Sequence, residues 1–135
     1  MTDMKHLLGT WHLVSFITQF EDGSTLLPYG AAAEGRIHYA QDGFMTAHLW
    51  DPDRHVADAG GDRNDPAYFS YCGTYRVEGD QVMHTVAAAT SKSWTGTDRL
   101  RTMAFKGDDI ELIAEGVVFE GKTGRGILRW RRFKP

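Results

Sequence analysis

Tyr75, His84 and Arg101 are the residues of this sequence best suited to chemistry. A histidine titrates near neutral pH and can move a proton. A tyrosine can hold it in orientation or donate to a carbonyl, and an arginine can stabilise an enolate or a carboxylate. The set suits proton transfer beside a carbonyl, as in isomerisation, dehydration or cyclisation, with His84 as the acid and base. Two other readings use the same residues: a binding site without turnover, and a buried polar network that pins one strand register and needs no ligand. All three require the side chains to meet on one face.

The strands that would bring them together are legible from their turns. Short apolar-polar alternation broken by Gly and Asp predicts antiparallel β structure throughout. Strands are expected at 10–20, in "TLLPY", and at 36–40, 44–50, 73–78, 81–89, 97–106, 109–115 and about 125–133. Helical turns are expected over Thr2 to Leu8 and near Asp65 to Tyr71. In "EGDQ" a two-residue Gly79-Asp80 loop pairs Glu78 with Gln81, so Val77 opposes Val82 and Tyr75 opposes His84. In "KGDD" the Gly107-Asp108 loop pairs Lys106 with Asp109. Phe105 then opposes Ile110, Met103 opposes Leu112, and Arg101 opposes Ala114. That face is apolar apart from Arg101, which should therefore point inward with Tyr75 and His84. A slip of one residue would reverse every assignment. The "QDG" turn allows two registers. A three-residue loop with Gly43 left-handed places Met45, Ala47 and Leu49 on the face of Tyr39. A two-residue loop would place Thr46 and His48 there, making His48 a ligand contact. The first gives the more apolar inner face.

A chain of 135 residues with 41% apolar and 24% charged residues is expected to form one domain, residues 1–135, with a core that needs no staples. The net charge of −3 and scattered basic residues give no footprint for nucleic acid or an anionic membrane. Cys72 is the only cysteine, which excludes an internal disulfide and a thiolate zinc site. The start, "MTDMKHLLGTW", has no secretory pattern, and no stretch approaches about 18 apolar residues. A soluble, cytoplasmic protein is expected. So many antiparallel strands must hide their edges, and closing into a barrel of about eight does so while leaving room for one small ligand.

Two segments carry a family resemblance. "LLGTWHLVSF" and "GILRWRRF" look like the first and last strands of a calycin barrel. In that superfamily a Gly-x-Trp opens the first strand, its Trp plugs the base, and a basic residue of the last strand packs over the ring. Here these would be Trp11 and either Arg129 or Arg131. The further order "YGAAAEGRIHYAQDGFMTAHL", "YCGTYRVEGDQVMHTV", "WTGTDRLRTMAF" and "LRW" resembles the small bacterial and fungal lipocalin-like domain family over nearly the whole chain. The family's histidine after the hairpin is matched by His84, its Trp-x-Gly-Thr by Trp94 to Thr97, and its strand arginine by Arg101. Its usual Tyr-Thr-Pro-Asp-Gly is "YAQDG" here, which leaves Gly43 to set the turn. The resemblance implies an all-β, closed antiparallel calycin or lipocalin-like barrel of eight to nine strands. It also implies either binding of apolar small molecules or cofactor-free cyclase, isomerase or hydratase activity.

The resulting expectation is a barrel that binds a small, largely apolar organic molecule. The alternatives are a cofactor-independent isomerase, cyclase or dehydratase of a carbonyl-containing, polyketide-like metabolite using His84, and a filled-barrel interaction module. Inward residues Tyr39, Met45, Met103 and Phe105, with Trp50, Phe69, Tyr71 and Trp94 at the mouth, are the expected ligand contacts. Asp51 to Pro66 is long enough to be a lid. Its aspartates and His55 do not fit an EF-hand, and the other histidines form no His-x-x-x-His pair, so neither metal nor cofactor is expected. An exposed strand or an apolar lid could pair two copies as a homodimer.

Overall fold

The computed structural model describes residues 4–53 and 67–134. A 3₁₀ turn, Met4–His6, precedes nine strands. They are β1 (Gly9–Phe20), β2 (Thr25–Leu26), β3 (Glu34–Tyr39), β4 (Phe44–Trp50), β5 (Tyr68–Glu78), β6 (Gln81–Ala89), β7 (Asp98–Lys106), β8 (Asp109–Phe119) and β9 (Lys122–Arg132). A second 3₁₀ turn, Lys92–Trp94, links β6 to β7. Each strand from β3 to β9 pairs antiparallel with the next, and β1 pairs with both β3 and β9. The sheet is thus a closed barrel of eight strands, and the short β2 pairs with the far end of β1, on the edge that β3 uses nearer its start. No helix among the described residues is long and apolar enough to cross a membrane.

The turns set the registers as their residues require. Val77 opposes Val82 and Tyr75 opposes His84. Phe105 opposes Ile110 and Met103 opposes Leu112. The "QDG" loop is closed by the Ala40 N–H donating to Phe44 O and the Gly43 N–H donating to Ala40 O, with Gly43 at φ 92°. That is the left-handed position a side chain would strain. Met45, Ala47 and Leu49 are consequently buried, and His48 and Trp50 lie on the outer face. Several strands run longer than the alternation suggested, β5 most of all. It begins at Tyr68, so the helical turn expected near Asp65 to Tyr71 is replaced by strand from that residue on. The expected lid and metal reading of 51–66 lies largely outside the described residues.

Alternation is broken where bulges shift it. β1 carries one extra residue against β9 between Leu13 and Ser15. The inward set changes there from Trp11 and Leu13 to Phe16 and Thr18, and Val14 turns out. On β9 no such break intervenes near the end. Trp130 is 2% exposed, so Arg132 shares its inward parity, while Arg129 and Arg131 face out.

This parity corrects the expected base of the barrel. Arg132, not Arg129 or Arg131, lies over Trp11, its guanidinium carbon 4.2 Å from the ring centroid. Its Nη atoms donate to the carbonyls of Leu8 and His6, and the Trp11 indole N–H donates to Leu7 O at 2.9 Å. The first turn and the last strand are thereby tied at one end of the barrel. Leu7, Tyr39, Met45 and Met103 fill the interior beside this plug.

Arg129 and Arg131 instead grip Asp109 on the outside of the β8–β9 pair, with Nε to carboxylate distances of 2.7 and 2.9 Å. The hydrogen bonds from Arg131, and then from Arg129, hold the Asp109 pKa down at about 2 against its ordinary 3.8. The unfolded chain therefore takes up this proton first as pH falls. The stabilisation is complete above 3.8 and is lost on the way down to about 2. An Asp109→Asn variant is expected to melt below the parent at neutral pH, with the gap closing across that window. Melting curves from neutral pH to pH 2 check this, and a constant gap would show that the carboxylate charge is not responsible.

Candidate functional site

The end of the barrel away from Trp11 is hollow. A cavity of about 580 Å³ runs between the segment Leu26–Tyr29, the β8–β9 tip at Val117–Phe119, and the inner faces of the strands. Phe16, Ile37, Leu49, Phe69, Leu112 and Leu128 give it an apolar wall. Thr18, Tyr29, Tyr71, His84, Arg101 and Trp130 supply its polar groups. At the mouth Phe16 stacks on Tyr29, with ring centroids 6.0 Å apart, and Trp94 packs edge-on against Phe69 at 4.9 Å.

His84 is 1% exposed and sits where the solid end meets the hollow one. Its Nε2 lies 2.6 Å from the Tyr39 hydroxyl and its Nδ1 2.8 Å from the Tyr71 hydroxyl. Either tautomer leaves one phenol proton over, and only one of them leaves it on the residue that lines the cavity. Tyr39 is 1% exposed and has no other hydrogen-bond partner among the described residues. Its O–H must therefore donate to Nε2, or a buried donor would be orphaned. His84 is then protonated on Nδ1 and donates to the Tyr71 oxygen. The spare proton falls to Tyr71, which lines the cavity. Hydrogen bonding thus runs inward from Tyr39 through His84 and emerges at the Tyr71 hydroxyl.

Burial governs the electrostatics of this set. It drives the His84 pKa down to about 3 from 6.5, with the Arg101 guanidinium adding to the effect. Burial also pushes the Tyr71 phenol up to about 12, although Arg101 and Arg99 pull in the opposite direction. The Tyr39 phenol is also raised well above its ordinary value by burial. Near neutral pH, His84 is a neutral imidazole and both tyrosines are neutral phenols.

Arg101 comes in from β7, opposite the buried Val82, and lines the cavity as its inward parity required. Its ladder with β8 stops one pair short of Ala114, at Thr102 opposite Ile113. Arg99, opposite His84, shares that face and stacks on Trp94 at 3.8 Å. The signal for it in the sequence is its two-residue spacing from Arg101, which puts both on one strand face.

The expected residues divide by depth. His84, Arg101, Phe69, Tyr71 and Trp94 converge on the cavity. Tyr75 is opposite His84 in register but does not bond to it. Its hydroxyl donates to Ala40 O at 2.7 Å, towards the β3–β4 turn. Tyr39 reaches His84 from the closed end and is not a cavity wall. Met45 and Met103 are inward but lie in the solid end, and Phe105 lies past the barrel rim, 40% exposed against His6. His48 and Trp50 are on the outer face. His48 bonds with Thr46 and Tyr68, and Trp50 stacks on Tyr68 at 6.2 Å.

Gly73 explains how Tyr71 reaches His84. A Cβ there would collide with the carbonyl of Thr85. The close approach coincides with a shift in the β5–β6 register between Cys72 and Gly73. The signal in the sequence was the alternation Tyr71-x-Gly73-x-Tyr75, which puts two phenols on one face with no side chain between them.

Comparison with known proteins agrees with this architecture. Residues 8–133 match the family model described as a lipocalin-like domain. Among solved structures, the chain is similar to a lipocalin-like protein from Bacteroides uniformis ATCC 8492. The two are 16% identical with a TM-score of 0.52, over 95% of this chain and 99% of that one. An uncharacterized protein from Bacteroides eggerthii DSM 20697 is similar at 15% identity and a TM-score of 0.49, over 94% and 99% of the two chains. At 16% identity the likeness to the Bacteroides uniformis protein concerns the fold alone. No curated protein matches the chain. The eight-stranded closure, the Gly-x-Trp plug under a last-strand arginine and the match over 8–133 lead to one assignment: this chain belongs to the family of lipocalin-like domains.

Proposed function

We propose that the barrel binds a small, largely apolar organic molecule. The observation that carries this is the cavity: about 580 Å³, walled by aliphatic and aromatic side chains, with a few polar groups converging on it. Sites for small molecules typically span about 300–1,000 Å³ with that composition. A barrel serving only as a filled module would have closed this volume with larger side chains, yet Ala114 faces Gly126 across the β8–β9 pair at the cavity wall.

The state of His84 supports binding over acid–base turnover. A general base works best with a pKa near the operating pH. His84 is held at about 3 by burial, and its accepting lone pair is already occupied by Tyr39. Tyr71, at about 12, is equally poor at giving up a proton but well suited to donating a hydrogen bond. The three groups thus present a fixed donor to whatever occupies the cavity.

Two experiments test this reading. An uncharged naphthalene-based fluorophore should raise the melting midpoint of the parent with concentration. A ligand at about 100 times its Kd stabilises the native state by about 2.7 kcal/mol. Ala114→Trp, which fills the cavity from its wall, should fold and lose that response. Equal responses in the two proteins would place binding elsewhere.

The second concerns pH. The unfolded state protonates His84 near 6.5 and the native state only near 3, so the unfolded state binds more protons between these values. Stability should therefore fall with pH below 6.5, at up to about 1.4 kcal/mol per pH unit from this residue. His84→Gln, which can still accept from Tyr39 and donate to Tyr71, should flatten the slope between about pH 6 and 4.5. Denaturant titrations at each pH measure it. Parallel slopes would mean that His84 is charged in the fold.

A further inference from the structure

The polar groups of the cavity are unequally satisfied, and the imbalance has a sign. Arg101 is the one fully charged residue among those lining it, and no Asp, Glu, Asn or Gln is among them. Arg101 makes no ion pair with the described residues. Its single hydrogen bond there runs from Nη1 to the carbonyl of adjacent Leu100 at 2.9 Å. A guanidinium has five N–H donors, so most of its capacity is unused. Arg99 adds positive charge nearby instead of balancing it, and it is already engaged with Trp94 and Thr97. Two further donors stand idle on lining residues: the Tyr71 O–H left over from the His84 tautomer, and the indole N–H of Trp130, buried with no partner among the described residues.

We infer that the bound molecule is a monocarboxylate with an apolar body, and that Arg101 anchors its carboxylate with the Tyr71 hydroxyl as a second donor. This deepens the binding reading above and rests on it. An apolar cavity offering donors and one uncompensated cation is complementary to a single anionic acceptor group, and arginine takes a carboxylate in a planar, two-bonded geometry. A phosphate monoester carries between one and two negative charges at neutral pH, more than the one guanidinium that lines the cavity would balance by contact. Burial already disfavours the charge on Arg101, a cost that a bound anion offsets.

The test is calorimetric titration of the parent at pH 7 with matched pairs: decanoate against decanol, and naphthoate against naphthamide. The acids should bind about 10- to 100-fold more tightly than their neutral partners. The preference should fade as pH drops through the ligand carboxyl range, about 4–5. Arg101→Met should erase it while leaving the neutral compounds bound, and Arg101→Lys should keep part of it. If Arg101→Met does not fold, the acid-to-neutral ratio in the parent and its pH dependence still decide. Equal affinity for acid and neutral forms would overturn the carboxylate inference and leave cavity binding intact. A preference that survives Arg101→Met would overturn Arg101 as the anchor. Failure of every compound to bind would overturn both readings.

Discussion

Closure of β1 onto β9 is the constraint on which the rest of this molecule depends. An open sheet of these strands would expose two unpaired edges and one apolar face. Once the seam is made, the inner face becomes an enclosed volume, and eight strands enclose more than backbone and small side chains can fill. Arg132 over Trp11 holds that seam at one end and seals it, because the same guanidinium also binds carbonyls of the chain just before β1. Large inward residues make that end solid. At the other, Ala114, Gly126 and Ala47 leave space.

His84 stands at the boundary between the two halves, and its position gives it two functions at once. Its bond from Tyr39 satisfies a phenol in the closed end that has no other hydrogen-bond partner among the described residues. Its bond to Tyr71 turns a second phenol into a donor for the open end. The buried polar network and the proposed binding site are therefore the same atoms seen from opposite sides. Each of the three side chains has a hydrogen-bond partner, and the one proton left over lies at the cavity.

Much of this was readable from local pattern. Two-residue Gly-Asp turns dictate which residues oppose, so Val82 against Val77 and Met103 against Leu112 followed from counting. The same counting set Arg101 inward. What counting does not contain is height along the barrel axis and contact across its interior. Met45 and Met103 have the parity of ligand contacts but lie at the plugged end. Tyr39 meets His84 from β3, three strands away around the wall, and no ladder register encodes that meeting. Opposition in the ladder brought Tyr75 beside His84 on paper. The phenol is long enough to reach past it to Ala40, and Tyr71 takes the place instead. Parity in the "LRWRRF" segment could have identified Arg132, since it lies two residues beyond the inward Trp130.

The seam also has a consequence for how the chain acquires its structure. Every pairing from β3 to β9 is made between neighbours in sequence, and each can form as soon as its hairpin is complete. The pairing of Trp11 with Arg132 joins residues at opposite ends of the chain. Such a long loop must be closed before its contacts repay the lost entropy, a feature of slow-folding topologies. During synthesis, a meander of hairpins with its apolar face uncovered would accumulate until β9 leaves the ribosome. Only then can Arg132 settle on Trp11 and give the barrel an inside.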